Sequence, residues 1–188
     1  MEMKKALRYT LILILLVIQS VFLGTMILES YQSHIWISIL VIAIISVLLL
    51  IAYFKASLHH HEHDVEESLV VIWVPIGAIV CYFISSTLQL GSVIGAGITG
   101  TIASFLPTIN KKSIYLSKLP VAIYCGAFVG MSSSAIAPSY GFIIAAGILA
   151  GVLLLYSKSL FLGVGGKLGT LAFASVTIIT LLMYLLKK

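Results

Sequence analysis

The chain has 188 residues, of which 61% are hydrophobic and only 9% charged, with a mean hydropathy of +1.18; an ordinary soluble domain is roughly 45–50% apolar and about 25% charged, so a soluble fold could not hide this much apolar surface. The net charge of +5 does not point to nucleic acid, because the eleven basic residues stand at the ends of apolar runs instead of gathering on one face. Several apolar runs approach the roughly 20 residues that a helix needs to cross about 30 Å of hydrocarbon, and the expected class is an all-α integral membrane protein, a polytopic bundle of about seven transmembrane helices in one membrane domain, 1–188.

Lys4, Lys5 and Arg8 precede an apolar stretch in the manner of a secretory signal. The stretch from Leu11 to Leu28 is long for such a signal and no small-x-small cleavage site follows it, so a retained first span is predicted over 9–28. A second span follows over 35–54, and the two form an N-terminal hairpin, 9–54. Three basic residues before the first span and none in the loop Glu29 to His34 put the N-terminus in the cytoplasm, with a bacterial-type cytoplasmic membrane as the setting.

Residues 55–68 form the one long polar segment, also cytoplasmic on this topology. It contains His59, His60, His61, His63 and Asp64, with Glu62, Glu66 and Glu67 among and after them. Imidazoles and carboxylates at this density suit weak binding of Zn, Ni or Cu, and on a helix His59 and His63 would share a face. The plainer expectation is a solvated loop, and clustered imidazoles also titrate near neutral pH. The HExxH pattern is not met, because Val65 stands where its second histidine would be.

The third span is predicted over 69–88, with Pro75 disturbing its first turns. A shorter, glycine-rich fourth span covers 91–106, followed by a cytoplasmic loop, 108–118, that carries Lys111, Lys112 and Lys118. The fifth segment, 120–137, is either broken by Ser132, Ser133 and Ser134 or ends near Met131 before a polar external loop; the sixth is 140–156. The last, 160–186, contains Gly163, Gly165, Gly166, Lys167 and Gly169; the plainer expectation is a span that starts at Leu168, with Lys167 at the cytoplasmic surface. Charge counting does not separate six spans from seven: nine of the eleven basic residues lie inside either way, depending on whether the fifth segment crosses or turns back. Discontinuous fifth and seventh segments are therefore carried as part of the expectation.

A ten-residue likeness at a spacing of fifty bears on the count. Gly91, Ile94, Ala96, Gly97 and Ile98 match Gly141, Ile144, Ala146, Gly147 and Ile148, which suggests a two-helix repeat, 91–140 and 141–188, within a glycine-rich bundle, 69–188. Two units in the same orientation favour seven spans.

Small residues recur at helical spacing in this half: Ser92, Ala96, Gly100 and Ser104 in one row, Gly91, Gly95, Thr99 and Ala103 in the next, and the GxxxG pairs Gly147–Gly151 and Gly165–Gly169. Such rows let helix backbones approach closely in lipid, within one chain or between copies in a homo-oligomer. The GxGxxG match at Gly95, Gly97 and Gly100 lacks the strand and the later acidic residue of a dinucleotide site. Gly166-Lys167-Leu168 lacks the Ser or Thr of a phosphate loop.

From Ser68 to Lys188 there are seven lysines and no Asp, Glu, His or Arg. This removes the carboxylates that proton carriers use, and it removes a catalytic base, so no enzyme and no cofactor is expected. A permeant of this half would be neutral, anionic, or held by hydroxyls and carbonyls. Lys167 with Gly165 and Gly166 is the candidate anion site, because glycines let a helix open its amides beside the ammonium. The hydroxyls of Ser132, Ser133 and Ser134 are the other candidate solute contacts. The expected function is that of a small multi-pass transporter or channel; the competing class is a membrane sensor or accessory subunit that works through the His-rich loop.

Overall fold

The computed structural model describes residues 2–34, 36–55, 68–157 and 166–187. These residues are helical apart from short turns, and no strand occurs among them. Four helices are long and apolar enough to cross a membrane: Leu13–Gln32, Leu69–Thr87, Ser92–Ile109 and Lys167–Leu186. Three shorter apolar helices, Trp36–Leu48, Ile114–Gly130 and Tyr140–Tyr156, complete a set compatible with seven spans.

The first compact unit contains the hairpin of α1 (Glu2–Gln32) and α2 (Trp36–Lys55). The polar stretch from Glu29 continues α1 to Gln32, so the reversal is tight. It is closed by Ser33 N–H to Glu29 O at 3.0 Å and His34 N–H to Tyr31 O at 3.1 Å, with His34 at a φ of 53°. Across the turn the rings of Tyr31 and Trp36 meet edge to face at 6.0 Å, a favourable aromatic geometry. Most of α2 is apolar on every side, and its outward residues such as Ile37 and Leu40 are exposed, as a helix bathed in lipid or packed among others requires.

The second unit holds α3 (Ser68–Val71), α4 (Trp73–Tyr82), a π-helical segment (Phe83–Thr87), α5 (Ser92–Ile109), α6 (Ile114–Gly130), α7 (Tyr140–Tyr156) and, from Leu168 onward, α8 (Lys167–Leu186). Pro75 explains the lapse at Ile72 between α3 and α4: it has no N–H to offer the carbonyl four residues back, that of Val71, and its ring crowds that carbonyl. α5 starts from Gly91 at a φ of +88°, a conformation only glycine adopts without strain.

The expected fifth span is corrected. The helix is α6, and it begins six residues before Pro120 because Ser113 caps it, accepting a hydrogen bond from Leu116 N–H at 3.3 Å. The basic loop predicted over 108–118 shrinks to the turn between Ile109 and Ile114, where Asn110 Oδ1 accepts from Lys112 N–H. α6 is one continuous helix that stops at Gly130, so the serine run is a connection to α7 and not a break within a span. In the last segment α8 runs from Lys167 to Leu186, and the part of that segment where a break is expected, 160–165, lies outside the described residues.

The core of this unit is built on glycine. A Cβ on Gly77 would lie 2.5 Å from Ile123 O; one on Gly126 would strike Val74 O, and one on Gly130 would strike Ala78 O. Gly126 and Gly130 form a GxxxG pair, and the rising order of contacts shows that α4 and α6 run parallel with backbones touching. Gly147 meets Pro75 and Gly151 meets Val71, so α7 runs antiparallel to α4; Gly95 meets Cys81 and Ser85, so α5 does too. At the lower end Trp73 Nε1–H donates to Tyr115 Oη at 2.7 Å and ties α4 to α6.

The predicted rows divide. Gly95, Thr99 and Ala103 are buried, as is Gly100 against the Tyr124 ring, whereas Ser104 is exposed and Ser92 and Ala96 are half-buried. Of the matched repeat positions, Gly97 has open space around it while Gly147 is packed on Pro75. Gly169 also faces open space, and its partner Gly165 lies outside the described residues.

Candidate functional site

α4, α6 and α7 close on one another through glycines, with backbones in contact at Gly77, Gly126, Gly130 and Gly147. Space opens on the far side of α6. α8 starts beside it, with Leu168 O 3.9 Å from Cys125 Sγ, and runs in the same direction. From there a groove of about 690 Å³ separates α8 from the upper end of α6 and the connection that follows. One wall is Phe128, Met131, Ser132 and Ile136. The other is a single helical face, with Gly169, Phe173, Val176, Thr177, Thr180 and Tyr184 recurring every three to four residues.

The groove is mostly apolar, with hydroxyls at Ser132, Thr177, Thr180 and Tyr184. Two of these already donate to their own backbone: Ser132 Oγ to Val129 O and Thr180 Oγ1 to Val176 O, each at 2.8 Å. Their oxygens still have acceptor capacity. A cavity of this volume falls within the roughly 300–1,000 Å³ usual for small-ligand pockets, which are likewise apolar with few polar groups.

The connection that forms the groove's upper rim is held in place. Ser133 O accepts from Ile136 N–H at 3.0 Å and Ala137 N–H at 2.8 Å, and buried Tyr82 donates its hydroxyl to Ala137 O at 2.7 Å. The Tyr82 ring meets Tyr140 edge to face at 5.2 Å, and Tyr140 Oη pairs with Thr87 Oγ1 at 2.6 Å. Between them, these bonds anchor the segment from Met131 to Ser139 to the end of the α4 rod.

Of the residues singled out in the sequence, Ser132 faces the groove, while Ser133 and Ser134 lie exposed at the tip of the connection. Lys167 opens α8, half-buried, after Gly166 at a φ of +85°; neither is part of the groove lining. Gly165 and the metal candidates His59, His60, His61, His63 and Asp64 lie outside the described residues. Among the described residues no group of three or more His, Cys, Asp or Glu is placed to hold a metal ion. Cys81 and Cys125 are buried and form no disulfide. Sequence reasoning missed the groove and the Gly126–Gly130 pair; the pair's spacing was legible, but the groove arises only from where α8 docks. No protein-family model matches the chain, and no curated protein or solved structure resembles it significantly.

Proposed function

We propose that this chain is an integral membrane protein of seven spans, N-terminus in the cytoplasm of a bacterial-type cell membrane, that carries a small neutral or weakly anionic solute by way of the α6–α8 groove. The observation that supports this is the groove itself: a cavity of ligand size, walled by apolar side chains and a few hydroxyls, beside helices packed closely through glycine. The lack of carboxylates from Ser68 onward favours a solute without positive charge. The groove opens towards the surface of the unit, which suits an amphiphilic solute entering from the lipid side. Lys167 and Gly166, at the first turn of α8, are the candidate contacts for an anionic solute, since an ammonium and helix N-terminal amides both favour negative charge.

The test is flux in vesicles reconstituted with the purified protein, using a panel of small neutral and anionic solutes. Gly169→Leu should block the groove without unfolding the helix, because a Cβ there has open space around it. Loss of flux in this variant, and in Lys167→Gln for anions alone, supports the proposal. Equal flux in wild type, Gly169→Leu and empty vesicles sinks it.

The closed α4–α6–α7 centre favours a second reading, a non-transporting sensor or accessory subunit whose cytoplasmic segment 55–68 is the working part, by weak metal binding or by histidine protonation. Replacing His59, His60, His61 and His63 together would then abolish the biological response and leave vesicle flux at the empty-vesicle level throughout. Self-association through the exposed apolar face of α5, which includes Ile94, Ile98 and Ile102, belongs to either reading and is measured by cross-linking in the membrane.

A further inference from the structure

Three helices converge on Ser85. It lies within the π-helical segment that ends the α4 rod; a π turn holds an extra residue, shifts carbonyls out of the α ladder and recurs at functional sites. α5 passes at Gly95, where a Cβ would lie 3.2 Å from both Ser85 Cβ and Ser85 N. α6 ends there at Gly130, whose own Cβ would sit 2.7 Å from Cys81 Cβ. Glycine at both positions is what lets the helices close around this serine.

Ser85 Oγ is surrounded by oxygen: Tyr82 O at 3.2 Å, Gly130 O at 3.4 Å and Ser86 Oγ at 3.5 Å. A hydroxyl has one proton and can donate to only one of these, and all three separations are long against the roughly 2.7–2.8 Å typical of O–H···O bonds. Gly130 is buried, and the amides after it turn elsewhere, Met131 N–H to Ala127 O and Ser132 N–H to Val129 O. Among the described residues the Gly130 carbonyl thus has only the 3.4 Å contact with Ser85, an unusual state for a buried carbonyl.

The three separations from Ser85 Oγ, 3.2, 3.4 and 3.5 Å, are close to those between neighbouring ligands around a hard cation. Oxygens about 2.3–2.6 Å from an ion stand about 3.3–3.7 Å apart along the edges of an octahedron. The oxygens here are uncharged, and no carboxylate occurs from Ser68 onward, so a single positive charge is matched and a divalent ion is not. α6 presents its C-terminal end at Gly130, where the carbonyl dipoles place partial negative charge, as interrupted helices do where they hold sodium in carriers.

We propose that Ser85 Oγ, Ser86 Oγ and the carbonyls of Tyr82 and Gly130 form a binding site for one alkali cation, sodium by size. The site stands on these oxygens alone and does not need solute to pass through the groove. Gly130 is nevertheless followed directly by Met131 and Ser132 of the groove wall, so an ion held there would brace that wall.

The test is thermal unfolding of the purified full-length chain in detergent, in sodium, potassium or choline chloride at constant ionic strength. A saturable rise in midpoint with sodium or potassium over choline is expected, on the order of 5–10 °C at a hundredfold excess over Kd. Ser85→Ala and Ser86→Ala should each weaken the cation dependence at least tenfold, with the midpoint in choline little changed. If Ser85→Ala fails to fold, Ser86→Ala decides. No cation-specific rise in the wild type, or an undiminished rise in Ser86→Ala, overturns the site. Because the measurement contains no solute, it succeeds or fails independently of the transport assay.

Discussion

Gly126→Ala probes the packing on which the second unit rests. The new methyl would meet Val74 O directly and would stand 2.8 Å from Ala78 N and 2.9 Å from Val74 C, all backbone atoms that cannot rotate away. Non-bonded heavy atoms settle at about 3.5–4.0 Å, so α4 and α6 must part by about 1 Å, and a gap of that size forfeits a quarter to a half of each pair's attraction. Overpacking of this kind costs about 1–3 kcal/mol, and immovable obstacles put it at the upper end. Alanine returns about 1 kcal/mol through helix propensity, leaving a net loss near 2 kcal/mol. Gly97→Ala is the control, since nothing lies within 4 Å of its Cβ; it should keep or slightly raise stability. Both are measured by reversible unfolding in mixed micelles, followed by far-ultraviolet circular dichroism. Wild-type stability in Gly126→Ala, or an equal loss in Gly97→Ala, would refute the reasoning.

Two further outcomes are expected. Tyr82→Phe removes the hydroxyl that donates to Ala137 O and leaves a buried carbonyl without it, a loss of about 1–3 kcal/mol; amide exchange across 132–137 should quicken while that of α5 stays as it was, and unchanged exchange there would show that the bond does not hold the connection. For topology, single cysteines at the exposed Asn110 and Ser134 should react oppositely with a membrane-impermeant thiol reagent in intact cells, Ser134 labelled from outside and Asn110 protected. Equal labelling of both would contradict the alternation of spans.

Much of the architecture was legible in the sequence because long apolar runs of bilayer-spanning length satisfy their backbone groups only as helices, so hydropathy reads out one helix per run. Hence the hairpin and the third and sixth spans emerge from hydropathy alone. The fifth span was misplaced because hydropathy sees Lys118 and Pro120 as a boundary, whereas the helix starts where Ser113 can cap it. Composition likewise revealed a glycine-rich, carboxylate-free half.

What composition could not settle is which glycines meet another backbone. Gly97 and Gly126 look alike in the sequence, yet one faces open space and the other lies against Val74 and Ala78, because a helix face acquires a partner only when the crossing of two helices is fixed. The same holds for the hydroxyls. Ser132 to Ser134 stand out as a run, but only Ser132 reaches the groove, since that groove exists only where α8 stands off from α6. Ser85 is one unremarkable serine in an apolar span, and the oxygens around it come from residues 82, 86 and 130, brought together by the π turn and the end of α6.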